Sequence, residues 1–182
     1  ETFEMQLVVT GSHLSKKHGY TVNEIINDGF KVNSFLDIKL SNDGNNDICN
    51  STAKCIQLFS RTLGKLKPDL IIVLGDRYEL LAVVTASMIH RVPIAHIHGG
   101  EVTEGAFDDG IRHSITKLSQ LHFVASNEYK KRVIQLGENP DFVFNVGGLG
   151  VDAIKKIKLL TKKELEDNLK IKFREKNLLI TY

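Results

Sequence analysis

The 182-residue sequence predicts an α/β fold, a Rossmann-like parallel sheet with helices on both faces. Three observations predict it. Short apolar runs alternate with longer amphipathic stretches, the order of strand–helix units. The apolar runs are nearly continuous rather than alternating, as in strands covered on both sides. The composition, 42% apolar and 25% charged, is that of an ordinary globular chain long enough to bury a substantial core.

Residues 6–10 (Gln6-Leu7-Val8-Val9-Thr10) form the first apolar run and read as a strand. A helical pattern over 15–28 and a weaker strand over 31–38 follow. The polar cluster 42–47 reads as a mobile turn, and 48–66 as a second helix. Further strands are expected at 70–74, 93–97, 121–125 and 142–146, with helices at 77–90, 109–119 and 127–137. Residues 1–150 thus make one Rossmann-like domain. After Val151 the character changes: 151–176 is rich in Lys and Glu and reads as connecting helices, and 177–182 as the start of a strand. The lysines at 155, 156, 158, 162 and 163 are spaced as a solvated helix face.

Several function classes are disfavoured. Net charge is +2, from 24 basic and 22 acidic side chains, too balanced to argue for nucleic acid or an anionic membrane. No apolar run reaches the length of a membrane span, and Glu1-Thr2-Phe3-Glu4 does not open a signal peptide, although the first residue is Glu rather than Met. Cys49 and Cys55 match no metal-site spacing and suggest no disulfide framework, so a reducing cytoplasm is the expected location.

In open α/β sheets ligands bind beyond the carboxyl ends of the strands, and the unusual polar residues fall there. Asp76 and Arg77 follow one apolar run; Asp76 reads as a helix cap or a site carboxylate. In His96-Ile97-His98-Gly99-Gly100-Glu101, strand alternation would send His96 and His98 to the same face. Such histidines serve as buried hydrogen-bonding groups, as acid–base or substrate-binding groups, or as metal ligands. No zinc-type partner spacing accompanies them, and no metal or cofactor is expected. Asp108 and Arg112 stand at i and i+4 on a helix whose Ile111, Ile115 and Leu118 form the buried stripe, so they can pair. Ser12-His13 ends another strand. Gly147-Gly148-Leu149-Gly150 is a weaker candidate for a phosphate turn. Four such sites at successive strand ends favour an active-site crevice over a series of helix caps.

These residues resemble the hydrolysing UDP-N-acetylglucosamine 2-epimerases of bacterial sialic acid biosynthesis. The likeness lies in Gly75-Asp76-Arg77, in His96 to Glu101, in the block from Phe107 to Lys117, in Val9-Thr10-Gly11-Ser12-His13 and in Glu128 to Gly137. It implies one half of a glycosyltransferase-B-like fold, in which two Rossmann-like domains enclose the active site, and a homo-oligomer. It also implies a UDP-sugar substrate: UDP-N-acetylglucosamine and water would give N-acetylmannosamine and UDP. Asp76, His98, Glu101 and Asp108 fall at catalytic positions; His13, Arg77, His96, Arg112 and His113 fall at substrate-binding ones. Members of this family begin with a further strand and turn, expected to be absent here with the helix after it, and 151–182 is expected to lead into a truncated C-terminal domain. The fragment alone is then expected to be inactive. Rival readings are a hydrolysing epimerase of a UDP-diacetamido-trideoxyhexose, a non-hydrolysing epimerase (disfavoured by His98-Gly99-Gly100-Glu101, where that branch has Glu-Ala-Gly), and a non-catalytic nucleotide-sugar-binding module.

Overall fold

The computed structural model describes residues 3–40, 44–103 and 107–180. The chain divides into two units, Glu1–Gly148 and Leu149–Tyr182. In the first unit the strands pair in parallel, as their apolar runs predict. β1 (Leu7–Thr10) pairs with β2 (Val32–Leu36). β3 (Ile71–Leu74), β4 (Ile94–Ile97), β5 (Leu121–Val124) and β6 (Val143–Asn145) lie side by side in chain order. The sequence pattern predicts one sheet; among the described residues no ladder joins the pair to the four-stranded group.

Right-handed crossovers that always step in one direction keep their helices on one side of the sheet. Accordingly α3 (Tyr78–Ile89), α4 (Asp108–Lys117) and α5 (Asn127–Gln135) cover a single face, and α2 (Asn45–Leu66) lies along α3. The core forms there: Cys55, Phe59 and Leu63 of α2 meet Ala82, Val84 and Ala86 of α3, Ile115 of α4, and Val73 and Ile94 of the sheet. The small side chains of α3 let it sit close to the strands, and Ser87 spends its hydroxyl on the Val83 carbonyl at 2.8 Å. Val124, Val133 and Val143 close a second cluster under α5. The register sets Val73, His96, His122 and Val143 in one row across this buried face. The opposite face is more open, with Ile72 64% and Leu74 52% exposed and Phe123 stacked on Phe144 at 5.5 Å.

Three segments differ from the sequence pattern. The expected helix over 15–28 is broken, because Gly19 (φ 87°) and Tyr20 (φ 48°) turn left-handed between two short 3-10 turns and α1 (Val22–Asn27). Of the polar cluster, Asn42 and Asp43 lie outside the described residues, while Asn45 to Asp47 already form the first turn of α2. In the second unit the connection is two helices, α6 (Leu149–Lys156) and α7 (Lys162–Leu169), the latter opened by a reciprocal capping box between Thr161 and Glu164. The five lysines at 155, 156, 158, 162 and 163 are all exposed. Residues 177–180 form no strand: Leu178 and Leu179 are 92% and 95% exposed, with no neighbouring ladder. Residues 181 and 182 lie outside the described chain.

Candidate active site

β3 delivers the first site residues. Gly75, at φ 91°, turns the chain out of the strand and donates its N–H to the Ile97 carbonyl at 3.1 Å. Asp76 then meets Arg112, whose Nη2 donates to Asp76 Oδ2 and to Thr103 Oγ1 (3.1 Å). The Arg112 guanidinium is buried, 3.7 Å from Asp109 Oδ1 through Nη1, and its Nε and Nη1 have no hydrogen-bond partner among the described residues. The expected Asp108–Arg112 pair is not made. Burial of the Ile111–Ile115 stripe carries Arg112 inward to the end of β3, where Asp76 is the carboxylate at hand. Asp108 stays half-buried at the first position of α4, with no hydrogen bond or ion pair to any described residue.

β4 delivers the histidines, and strand alternation holds only as far as Ile97. His98 adopts φ 65°, a left-handed conformation uncommon for a non-glycine residue, and leaves the sheet. His96 is fully buried. Its Nε2–H donates to the Gly75 carbonyl (2.9 Å), and its Nδ1 accepts from Thr116 Oγ1 (3.1 Å). Burial pushes its pKa down to about 4, so the ring is neutral near pH 7 with both nitrogens occupied. His98 instead places Nδ1 2.5 Å from Glu101 Oε1, with both side chains partly exposed. The two glycines between them are sterically required. A Cβ on Gly99 would lie 3.0 Å from His96 Nδ1, and one on Gly100 (φ 79°) would lie 2.6 Å from the Tyr129 carbonyl oxygen of α5. Arg132 of α5 also donates Nη1 to the Gly100 carbonyl.

The remaining expected residues make contacts of their own. His113 Nε2 is 3.7 Å from Asp109 Oδ2. Arg77 forks onto Glu79. His13, exposed after β1, bonds Thr21 Oγ1 at 2.8 Å rather than any of the other expected residues. Sequence reasoning passes over Glu79, Thr103, Asp109, Thr116 and Arg132. Only Asp109 carried a usable signal, being one turn before Arg112 and His113 on α4. Among the described residues no three His, Cys, Asp or Glu side chains gather closely enough to share a metal ion. No helix there is long and apolar enough to cross a membrane.

Chemically, the arrangement pairs an imidazole with a carboxylate on Nδ1, leaving Nε2 for proton transfer. Glu101 fixes that ring's orientation through the Nδ1 contact. At the neighbouring strand end Asp76 and Arg112 add a paired carboxylate and guanidinium.

The chain was compared with known proteins by sequence and by fold. The chain is 44% identical over 178 residues to a GDP/UDP-N,N'-diacetylbacillosamine 2-epimerase (hydrolyzing) of Campylobacter jejuni, a match covering 98% of this chain and 46% of that protein. It is also 44% identical to polysialic acid biosynthesis protein P7 of Escherichia coli, over 91% of this chain and 43% of the relative. The chain therefore spans less than half the length of the curated relatives it matches. In fold it superposes on the crystal structure of UDP-GlcNAc 2-epimerase from Neisseria meningitidis bound to UDP-GlcNAc with a TM-score of 0.76, at 23% identity, covering 91% of this chain and 45% of that one. This likeness makes the chain one half of a glycosyltransferase-B-like fold. The family model described as UDP-N-acetylglucosamine 2-epimerase matches residues 1–182, and the chain belongs to that family.

Proposed function

We propose that this chain contributes the acid–base half of the active site of a hydrolysing 2-epimerase acting on a UDP-2-acetamido sugar. The observation that carries the reading is the His98–Glu101 pair at the carboxyl end of β4, with Asp76 just beyond the end of the neighbouring strand β3. The C2 proton of such a sugar is weakly acidic, so its removal needs a positioned base. That proton passes to a site base, the C1–O bond breaks, and UDP departs with the electron pair, leaving a C1=C2 double bond. Water then adds oxygen to C1, and a proton returns to C2 from the opposite face. The balance is UDP-sugar plus water to the 2-epimeric free sugar plus UDP.

His98 exchanges a proton through Nε2, oriented by Glu101. Asp108 is a second acid–base group, and Asp76 is held in place by Arg112. Arg112 offsets the charge of the leaving diphosphate, and Arg77 holds the diphosphate equally before and during its departure. His113 and His13 border the sugar side. His96, with both nitrogens spent on Gly75 and Thr116, serves by holding the Asp76 turn.

Two sugars fit this class. UDP-N-acetylglucosamine, giving N-acetylmannosamine for sialic acid biosynthesis, is supported by the relative named for polysialic acid. UDP-N,N'-diacetylbacillosamine is supported by the relatives named for it at 44% and 36% identity. The gene product that contains this chain should be incubated with each in deuterated water and followed by proton NMR. Free 2-epimeric sugar deuterated at C2, with an equivalent of UDP, is the expected result, and the faster substrate decides between the two. Return of an epimerised UDP-sugar without free UDP would overturn the hydrolysing reading. No turnover of either sugar would overturn the enzyme reading in favour of a nucleotide-sugar-binding module.

A further inference from the structure

Glu79, in the first turn of α3, is a buried carboxylate with no part in the proton chemistry above. Both of its oxygens are taken by one arginine: Arg77 Nε lies 3.3 and 3.1 Å from Oε1 and Oε2, and Nη2 lies 3.0 Å from Oε1. The same carboxylate abuts the turn that ends β1. Gly11 is at φ 65°, and a Cβ there would come 2.7 Å from Glu79 Oε1. From α2, Cys55 donates its thiol to the Glu79 carbonyl at 3.7 Å. Glu79 is thus held from three directions, whereas the Arg77 side chain is 60% exposed.

Such asymmetry has a physical consequence. A buried carboxylate requires a partner, and Arg77 supplies the charge. In return the fork is gripped along its Nε–Nη2 edge, leaving Nη1 outside that grip at the carboxyl end of β3, one residue after Asp76. A long cationic side chain on a surface normally loses rotamer freedom when it binds; one already gripped has lost it beforehand. A guanidinium fixed in this way suits phosphate oxygens, which it meets through parallel N–H bonds.

We infer that Glu79 is a positioning residue that presents Arg77 to the diphosphate of the bound nucleotide-sugar. This rests on the UDP-sugar reading above. It assigns Glu79 a place in ligand affinity rather than in the proton transfers, and it makes the Gly11 turn, at the end of a different sheet, part of the support.

The test uses the gene product containing this chain, with UDP titrated calorimetrically and steady-state kinetics on the sugar it turns over. E79Q keeps the shape of the side chain and removes its charge. Its UDP affinity should fall, and KM rise, roughly tenfold, the scale of one charge-assisted hydrogen bond, with kcat changed by less than about twofold. E79D, which keeps the charge needed for folding but draws the carboxylate back, should show the same split. In an R77A background E79Q should cost no further affinity, because both changes act through one group. Unchanged UDP affinity in a folded E79Q or E79D variant would overturn the proposal, as would losses that multiply in the double variant or a fall in kcat at constant KM. Absence of UDP binding by the wild-type protein would sink the UDP-sugar reading itself and the positioning role with it; binding by wild type with no effect of either substitution sinks the positioning role alone.

Discussion

Helix α4 carries charged clusters at both of its ends, and they differ in how much bonding capacity they leave over. At its carboxyl end Lys117 meets Glu138 at 2.5 Å, and Glu138 in turn accepts from His122 Nε2 at 3.2 Å. That cluster ties α4 and the segment after α5 to the amino end of β5. Apart from one buried lone pair on His122 Nδ1, its hydrogen-bonding groups are used or reach solvent. At the amino end of α4, Arg112 holds Asp76 but keeps two buried N–H groups unmatched, and Asp108 has no partner among the described residues. Nearby, His98 meets Glu101 only through Nδ1. The same residue types therefore make a fastening at one end of the helix and an unfinished site at the other. What separates them is unspent hydrogen-bonding capacity, since buried polar groups in a finished structure are almost always paired.

The sharpest way to break this contrast is on rate. H98Q in the gene product should lower kcat on its UDP-sugar by about 10²–10⁴-fold, the usual worth of a positioned acid–base group. K117A should leave kcat unchanged. Equal losses in the two variants would erase the distinction.

Stability offers the second comparison. R112A strands Asp76 and empties a buried position, and should cost about 3 kcal/mol in chemical denaturation. K117A removes a half-exposed partner from Glu138 and should cost less than about 1 kcal/mol. A larger loss for K117A would mean that the fastening end, not the site end, bears the stress.

The third and smallest effect concerns the buried row that runs between the clusters. Burial lowers the pKa of both His96, to about 4, and His122, so the folded state binds protons less readily than the unfolded chain. Stability from this source is complete above the ordinary histidine pKa of about 6.5, and is lost as pH falls toward the folded value. Between about pH 7.5 and about pH 5, His96 alone should remove roughly 2 kcal/mol. Denaturation curves at the two pH values should show this slope in the wild type and a shallower one in H96Q.

Much of the architecture could be read from residue order, because parallel strands buried by helices leave unmistakable apolar runs. Asp76, the His96–Glu101 run and the Asp108–His113 run each had a bland reading as a cap, buried histidines or a surface ion pair, and they stood out as candidates only because they fall together at successive strand ends. Long-range choices were harder. Arg112 takes a carboxylate 36 positions away in preference to one four away, and only the inward turn of its helix face decides that. The left-handed backbone at His98 ends strand alternation one residue early, and nothing in the local pattern marks it. Glu79 looks like any acidic residue in the first turn of a helix, favoured there by the dipole, until the Gly11 turn is seen against it. The separation of β1–β2 from the other strands is likewise a matter of pairing between distant segments, which apolar runs do not encode.

The Gly100 contact with α5 bears on the timing of the site's motions. With a hypothetical Cβ only 2.6 Å from the Tyr129 carbonyl oxygen and 2.9 Å from Val133 Cγ2, the loop between His98 and Glu101 lies in direct contact with the helix. Arg132 adds a hydrogen bond to the Gly100 carbonyl across the same boundary. Loop and helix must therefore open together, and amide exchange at Gly100 inherits the opening free energy of α5 rather than that of a free surface loop. The His98–Glu101 pair is in this sense as slow and as durable as the helix behind it.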